Sequence, residues 1–334
     1  MDILISDAVL PVDLATEISA HISPQHALRQ VLKHATHQVE RLDQQQGCSS
    51  SEAVILNHYG YTASANSPLL DVLPFLSLLK SPLSTPQTQP LALLELCHFE
   101  IDQQHSGLIP AKELHISNEH RQQLFTELAP LLAEKNITVY DHRQDRWLIS
   151  LPDSIVAAPQ SSAKMASQLV HEYWPKSAQY KGLRVLLNEI QMQCFQSAVN
   201  QARHVAGLPA INSAWIFGKL PAHIRPDSQQ RWHTASYQGL TYEVFEQGDH
   251  ALAYIDVLEP AFRKQDWGAW LQGFNGLSDF MAQAWKARPH TRFIFTGPEE
   301  LKTLTRTKPW GAKRLLQTLN KSNKQWNQWW LQSF

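Results

Sequence analysis

The sequence predicts an α/β or α+β protein, a mixed sheet flanked by amphipathic helices with room for two subdomains, on three observations. Strand-like and helix-like segments alternate along the chain, the pattern of a sheet with helices on its faces. The stretch from Leu183 to Gly218 reads as a long amphipathic helix, a tight turn and a buried strand in immediate succession. With 334 residues, 43% of them hydrophobic, the chain can bury one large core or two moderate ones.

In order, Ile3 to Ile5 has the apolar character of a short first strand, and residues 13 to 43 are helix-rich with a break at Ser23-Pro24. Ala53 to Leu56 reads as a strand, followed by a loop through Asn57, Gly60 and the Ser-Ala-Asn-Ser run at 63 to 67. The run SPLSTPQTQP at 81 to 90 disfavours helix, because each proline removes a donor and restricts its predecessor. It is read as a linker between an N-terminal α/β region, 1–85, and a main domain, 91–334. Leu91 to Cys97 is then a buried strand. Asn118 to Lys135 is a helix with Leu124, Leu128, Leu131 and Leu132 on its apolar face and Pro130 as a kink point. Ile137 to Tyr140 and Arg146 to Ser150 flank the DHRQD turn as a hairpin. Ser161 to Trp174 forms a second amphipathic helix, ended by Pro175.

At 100° per residue, Leu183, Leu187, Ile190, Cys194, Ala198, Ala202 and Val205 fall on one arc, with Glu189, Gln193, Gln196, Asn200 and Arg203 opposite. Gly207 closes this helix and Pro209 prevents its resumption, after which Ile211 to Phe217 is an interior strand ending at Gly218. Residues 220 to 231 form a proline-broken loop. Ala251 to Leu258 is a strand, and Asp266 caps a helix on which Trp267, Trp270, Leu271, Phe274, Met281 and Trp285 repeat at helical spacing. Thr291 to Thr296 is a strand stopped by Gly297-Pro298, and a last helix runs from about Gly311 into Trp326, Trp329 and Trp330.

Composition narrows the function. Basic and acidic residues nearly cancel, 29 against 30, so no global field steers the protein toward nucleic acid or anionic membrane. Three widely spaced cysteines, Cys48, Cys97 and Cys194, without a CxxC pair, argue for a reducing compartment and against a thiolate zinc site. The opening MDILISDAVLPVD has no basic region before its apolar run, and no apolar segment approaches about 18 residues, so a cytoplasmic protein is expected. Histidines 98, 105, 115, 120 and 142 share one window but show no ligand-pair spacing, and no metal or cofactor is expected. The G-x-S-x-G, G-x-x-x-x-G-K-[ST] and G-x-G-x-x-G motifs are absent from the sequence. Cys194, on the apolar arc, is read as inert.

Asn188, Glu189, Gln191, Met192, Asn200, Arg203, Gly207, Pro209, Asn212, Ser213, Trp215 and Gly218 together resemble the signature of the RpfE-type regulatory proteins, a bacterial family sometimes labelled cofactor-independent phosphoglycerate mutase-like. Arg146-Trp147-Leu148 and Asp266-Trp267 with Trp270 add weaker support, and Phe217 stands where the family's WLWG ending has its second tryptophan. The resemblance implies a regulatory or small-ligand-binding protein without naming a chemistry. Its mutase-like label implies an enzyme acting on a phosphorylated small molecule, with two metals on Asp and His clusters and a serine nucleophile. Asp141-His142 is the nearest fragment of such a ligand set, and it reads more simply as a solvated turn.

On the residues themselves, Glu189, Gln193, Asn200, Arg203, Asn212 and Ser213 are the candidates to line a hollow that binds a small polar or phosphorylated ligand. Under the mutase-like reading Arg203 grips phosphate and Glu189 moves a proton. Asn188 and Gln191 are expected inside and hydrogen-bonded, and Gly207, Pro209, Trp215 and Gly218 are read as structural. A further alternative lies after Glu300, where Lys302, Arg306, Lys308, Lys313, Arg314, Lys321 and Lys324 occur without an acidic residue and with Trp310, Trp326, Trp329 and Trp330 interleaved. That tail could bind nucleic acid or a partner protein. Nucleic acid is disfavoured, since basic residues also suit helix ends and tryptophans more often pack.

Overall fold

The structure, a computed structural model, describes residues 1–41, 47–62, 68–80, 82–83, 87–101, 106–166, 168–224, 252–287, 290–298 and 300–306. The expected α/β class holds. The strands are β1 (Asp2–Ile5), β2 (Ala35–Arg41), β3 (Leu91–Ile101), β4 (Ser106–Pro110), β5 (Val139–Asp141), β6 (Arg146–Ser150), β7 (Ser213–Leu220), β8 (Leu252–Ile255), β9 (Arg292–Thr296) and β10 (Glu300–Arg306). They form two sheets in two compact units, one of Met1–Asp43 with His233–Phe334 and the other of Gln44–Trp232. This division differs from the expected border at 81–90. β1 is hydrogen-bonded on one side to β8 and on the other to β9, so the N-terminus cannot form a region separate from residues 252–296. The proline-rich stretch lies within the second unit.

In the first unit the strand order is β2-β10-β9-β1-β8. β8, β1 and β9 run parallel, while β10 is antiparallel to both β9 and β2. Alternate residues Ile3 and Ile5, Ala253 and Ile255, Phe293 and Phe295 face a core completed by Leu28, Val31, Trp270, Phe274 and Met281 from the helices. The strands at 35–41 and 300–306 were not expected. Residues 35–41 fall in a stretch read as helical, and their mostly exposed side chains give little sign of a strand that is set by pairing with β10.

His26 is enclosed in this core. Its Nδ1 accepts from the Leu28 N–H at 3.1 Å, its Nε2 donates to the Phe274 carbonyl at 2.9 Å, and its ring stacks on Phe274. Both nitrogens are thus used by the neutral tautomer, and burial lowers the pKa from 6.5 despite the opposing Phe274 hydrogen bond. The unfolded chain therefore takes up this proton before the folded one does. The His26 contribution to stability is complete above about pH 6.5 and is lost as pH falls from there through the lowered folded value. Urea unfolding from pH 7.5 to 5 is expected to show a decline in stability that His26→Asn makes shallower; equal slopes would contradict the assignment.

The second unit is built on β3, which pairs antiparallel with β7 along one edge, and with β6 and β4 along successive halves of the other. β5 adds to β6. The run LALLELC is buried on both faces, as a central strand covered on each side requires. The segment expected as a strand at 53–56 is instead a helix, Ser50–His58. Ser49 Oγ accepts from Glu52 N and Glu52 accepts from Ser49 N, a capping box that starts a helix buried on nearly every side. The segment 161–174 is broken into Ser162–Met165 and Val170–Tyr173. Asn118–Glu134 is helical with Pro130 inside it, and Asp266 caps Trp267–Gly276 by accepting from Ala269 N at 2.9 Å. The helix expected from Gly311 lies outside the described residues. Among the described residues no helix is long and apolar enough to cross a membrane.

Candidate functional site

The stretch 183–218 does not fold as one helix and a strand. The first helix, Lys181–Gln196, ends at Ser197, whose backbone is extended at φ −66 and ψ 133, and a second helix, Ala198–Val205, follows. Ser197 Oγ caps this second helix by accepting from Val199 N. The break resets the phase of the wheel. Leu183, Leu187, Ile190 and Cys194 are buried as expected, whereas Val205 is 87% exposed and Arg203 is wholly buried.

The polar residues placed in a ligand hollow mostly satisfy backbone groups instead. Asn200 Nδ2 donates to the carbonyls of Cys194 and Ile211, both at 2.8 Å, and its Oδ1 accepts from Ile211 N at 2.7 Å. Arg203 donates from Nε to the Pro209 carbonyl at 2.8 Å and from Nη2 to the Leu114 carbonyl at 2.7 Å. Asn212 accepts from Phe99 N and donates to Phe99 O, so its amide continues the β3–β7 ladder by one step. Ser213 is buried and receives the Gln191 amide at 3.3 Å. Glu189 pairs with Lys135 at 2.9 Å, and Gln193 is exposed. Arg203 is enclosed, whereas Glu189 is about a third exposed, so the two do not share an open hollow as expected. Asn188, expected inside, is exposed because it lies on the outer face of the first helix. Gly207 and Gly218 have positive φ, 68° and 78°, and a Cβ at Gly218 would press on the Leu70 carbonyl at 3.0 Å.

An ionic cluster that sequence reading missed sits nearby, two buried carboxylates on an arginine whose side chain is 27% exposed. Arg146 Nη2 lies 2.7 Å from Glu52 Oε1, and its Nε donates to Glu95 Oε2 at 2.8 Å. The Ser161 hydroxyl donates to Glu52, the Ser162 hydroxyl donates to Glu95, and Ala111 N donates to Glu95 Oε1 at 3.1 Å. Burial opposes the Arg146 charge, but Glu52 and Glu95 outweigh it and hold the guanidinium pKa above its usual value. The guanidinium also lies 5.2 Å from the Phe217 ring centroid, tying the cluster to β7. Both serines are fully enclosed, so the cluster joins the helix Ser50–His58, β3 and β6 and presents no reactive hydroxyl to a substrate.

A groove of about 460 Å³ occupies a different place, in the first unit beyond the carboxyl end of β8. Val257, Pro260, Ala261, Lys264, Asp266, Ala269, Gln272 and Gly273 line it. One wall is the helix Glu259–Arg263, held by Glu259, which accepts from the Tyr254 hydroxyl and from Arg263 Nη1. The opposite wall is the first two turns of Trp267–Gly276, anchored by Trp270 Nε1 donating to the Asp7 carbonyl at 2.9 Å. Asp7, just past β1, adopts φ 51°, a left-handed conformation that aspartate tolerates better than most residues. Lys264 and Asp266 are exposed and set one positive and one negative group on a rim whose remaining side chains include Val257, Ala261 and Ala269. Only Asp266, as a helix cap, carried a sequence signal; Lys264 carried none.

The remaining candidates settle as follows. Burial raises the thiol pKa of Cys194 to about 12, and those of Cys48 and Cys97 well above the usual value. His142 stacks on Phe125 at 3.7 Å and bonds Gln122, as part of the sheet margin. Among the described residues no group of three His, Cys, Asp or Glu side chains is placed to hold a metal. Lys302 is not part of a solvated tail: it is 2% exposed within β10, where burial lowers its pKa against the attraction of Glu300. Residues 308–334 of the proposed nucleic-acid or partner surface lie outside the described residues.

These features place the molecule in the α/β class. No protein-family model matches the chain, and a search of curated proteins finds no relative. Among solved structures it is similar to a cofactor-independent phosphoglycerate mutase from Thermoplasma acidophilum, with 12% identity over 93% of this chain and 90% of that one and a TM-score of 0.33. It is also similar to a protein from Pyrococcus horikoshii, with 11% identity over 91% and 87% and a TM-score of 0.43. Both likenesses are distant and assign no chemistry to this chain.

Proposed function

We propose that the protein binds a small polar ligand in a regulatory role, as its resemblance to the RpfE-type proteins implies, and that the ligand seats in the groove beyond β8. The observation that carries this reading is the position of the groove. In open α/β sheets ligands bind outside the carboxyl ends of the strands, most often at a topological switch point, and this groove follows the carboxyl end of β8, the edge strand beside β1. Its volume lies within the range of small-molecule sites. Lys264 and Asp266 on one rim suit a ligand bearing opposite charges, and Val257, Ala261 and Ala269 suit its apolar body. The phosphorylated ligand of the mutase-like reading would meet Lys264, but Asp266 beside it would repel a second negative group.

A thermal-shift screen of amino acids, nucleotides and phosphorylated metabolites tests the proposal. A ligand at 100 times its Kd adds about 2.7 kcal/mol of stability to the folded state. Ala269→Trp projects from an exposed position into the groove, so it is expected to abolish the ligand's stabilisation while leaving the melting temperature of the free protein nearly unchanged. A hit that stabilises wild type and Ala269→Trp equally would place binding elsewhere.

A further inference from the structure

The helix Lys181–Gln196 buries Leu183, Leu186, Leu187, Ile190 and Cys194, and its opposite face carries an apolar stripe bare to solvent. Phe195 is 88% exposed, Met192 67% and Val185 44%, with exposed Asn188 between them. Most polar members of the 188–218 signature satisfy groups inside the fold, as described above. Asn188 and Met192 do not, and both lie on this stripe. The spacing 185, 188, 192, 195 alternates three, four and three residues, which is the a–d–a–d seam of a coiled coil. A seam of that spacing fits the side of a second helix.

We infer that the occupant is a second copy of the same helix, packed antiparallel about a two-fold axis beside Ile190. The four positions are symmetric about residue 190, so the antiparallel arrangement sets Val185 against Phe195 of the second copy and Asn188 against its Met192. An isologous contact needs this self-complementarity. Charge favours the same direction. Exposed Lys181 lies in the first turn, and the last turn carries no basic residue, so each copy's cationic start lies beside the negative dipole end of the other. A parallel pair would bring the two cationic ends together. Seating each Phe195 ring removes about 150–250 Å² from water. With the exposed parts of Met192 and Val185 the total is on the order of 800 Å² for the pair, short of the roughly 1,000 Å² of a stable interface and in the class of weak, transient contacts. The dimer is therefore weak and concentration-dependent.

Sedimentation equilibrium of the full-length chain across concentrations from about 1 to about 200 µM, where weak dimers with micromolar Kd values are resolved, tests the inference. A monomer–dimer equilibrium is expected, which Phe195→Asp and, separately, Met192→Lys weaken at least about 100-fold, with melting temperatures equal to wild type at the dilute end of the range, where the monomer dominates and both side chains face solvent. Direction is read by mixing Val185→Cys with Phe195→Cys under mild oxidation. The mixture is expected to form the mixed disulfide, while neither variant alone crosslinks. A wild-type chain that stays monomeric, a dimer indifferent to Phe195→Asp, or a self-crosslink of Phe195→Cys would each overturn the proposal.

Discussion

Arg146→Met is expected to destabilise the second unit by about 3–5 kcal/mol, the range found when one partner of a buried ion pair is removed and the other charges remain. The side chain is matched in length, so lost packing is a small part of the effect. Two carboxylates, Glu52 and Glu95, at 5% and 3% exposure, would be left with serine hydroxyls and backbone N–H groups but no cation. The cause is electrostatic, so the remedy should be as well. Glu52→Gln and Glu95→Gln added to Arg146→Met are expected to recover a large part of the loss, because replacing a whole buried ionic group costs far less than breaking it. Urea unfolding followed by the fluorescence of Trp147 and Trp215, both fully buried in this unit, reports the result. A single variant within about 1 kcal/mol of wild type, the magnitude of an exposed pair, would show that Arg146 does not hold the cluster together.

Arg203→Met separates a fastening role from a ligand-gripping one. The guanidinium bonds the Pro209 and Leu114 carbonyls, and methionine fills similar space without donors. Each buried carbonyl left unsatisfied costs about 1–3 kcal/mol, so a loss of about 3 kcal/mol is expected in denaturant unfolding. Any ligand that stabilises the folded protein should still bind the variant with unchanged affinity under conditions where it remains folded. A variant of wild-type stability that no longer binds would restore Arg203 to a ligand site.

Much of the architecture could be read from residues because their burial is periodic or continuous. The strands at 91–97, 146–150 and 291–296, the helix at 118–135 and the Asp266 cap all carried local signals that the tertiary structure keeps. Ser50–His58 did not, since Ser51 through Leu56 are all buried and a helix apolar all round loses its period, becoming indistinguishable from a strand. The S-x-x-E sequence at Ser49–Glu52 was the signal that could have decided it. The edge strand at 35–41 is polar and depends on β10, more than 250 residues away, so its state is set by pairing that no local window contains.

The signature stretch misled for a different reason. A wheel assumes continuous phase, and the extended backbone at Ser197 breaks it, turning Arg203 inward and Val205 outward. Asn200, Arg203 and Asn212 were conspicuous because the fold needs them, as polar side chains that serve backbone groups where regular structure stops. Glu95, a lone carboxylate within LALLELC, was a legible sign of a buried partner, but its identity as Arg146 depends on the β3–β6 register. The groove beyond β8 is lined within 257–273 alone, by the facing sides of two consecutive helices, and the packing of those helices against each other has no signature in the sequence.

The central division, between a polar clasp at 188–218 and a ligand groove at 257–273, is tested most directly by amide NMR of the deuterated protein titrated with a stabilising ligand from the thermal-shift screen. Shifts are expected first at Val257, Ala261, Lys264, Ala269, Gln272 and Gly273, with Asn200, Arg203, Asn212 and Ser213 unmoved. Perturbations centred on Asn200 to Ser213, with the 257–273 amides silent, would contradict it.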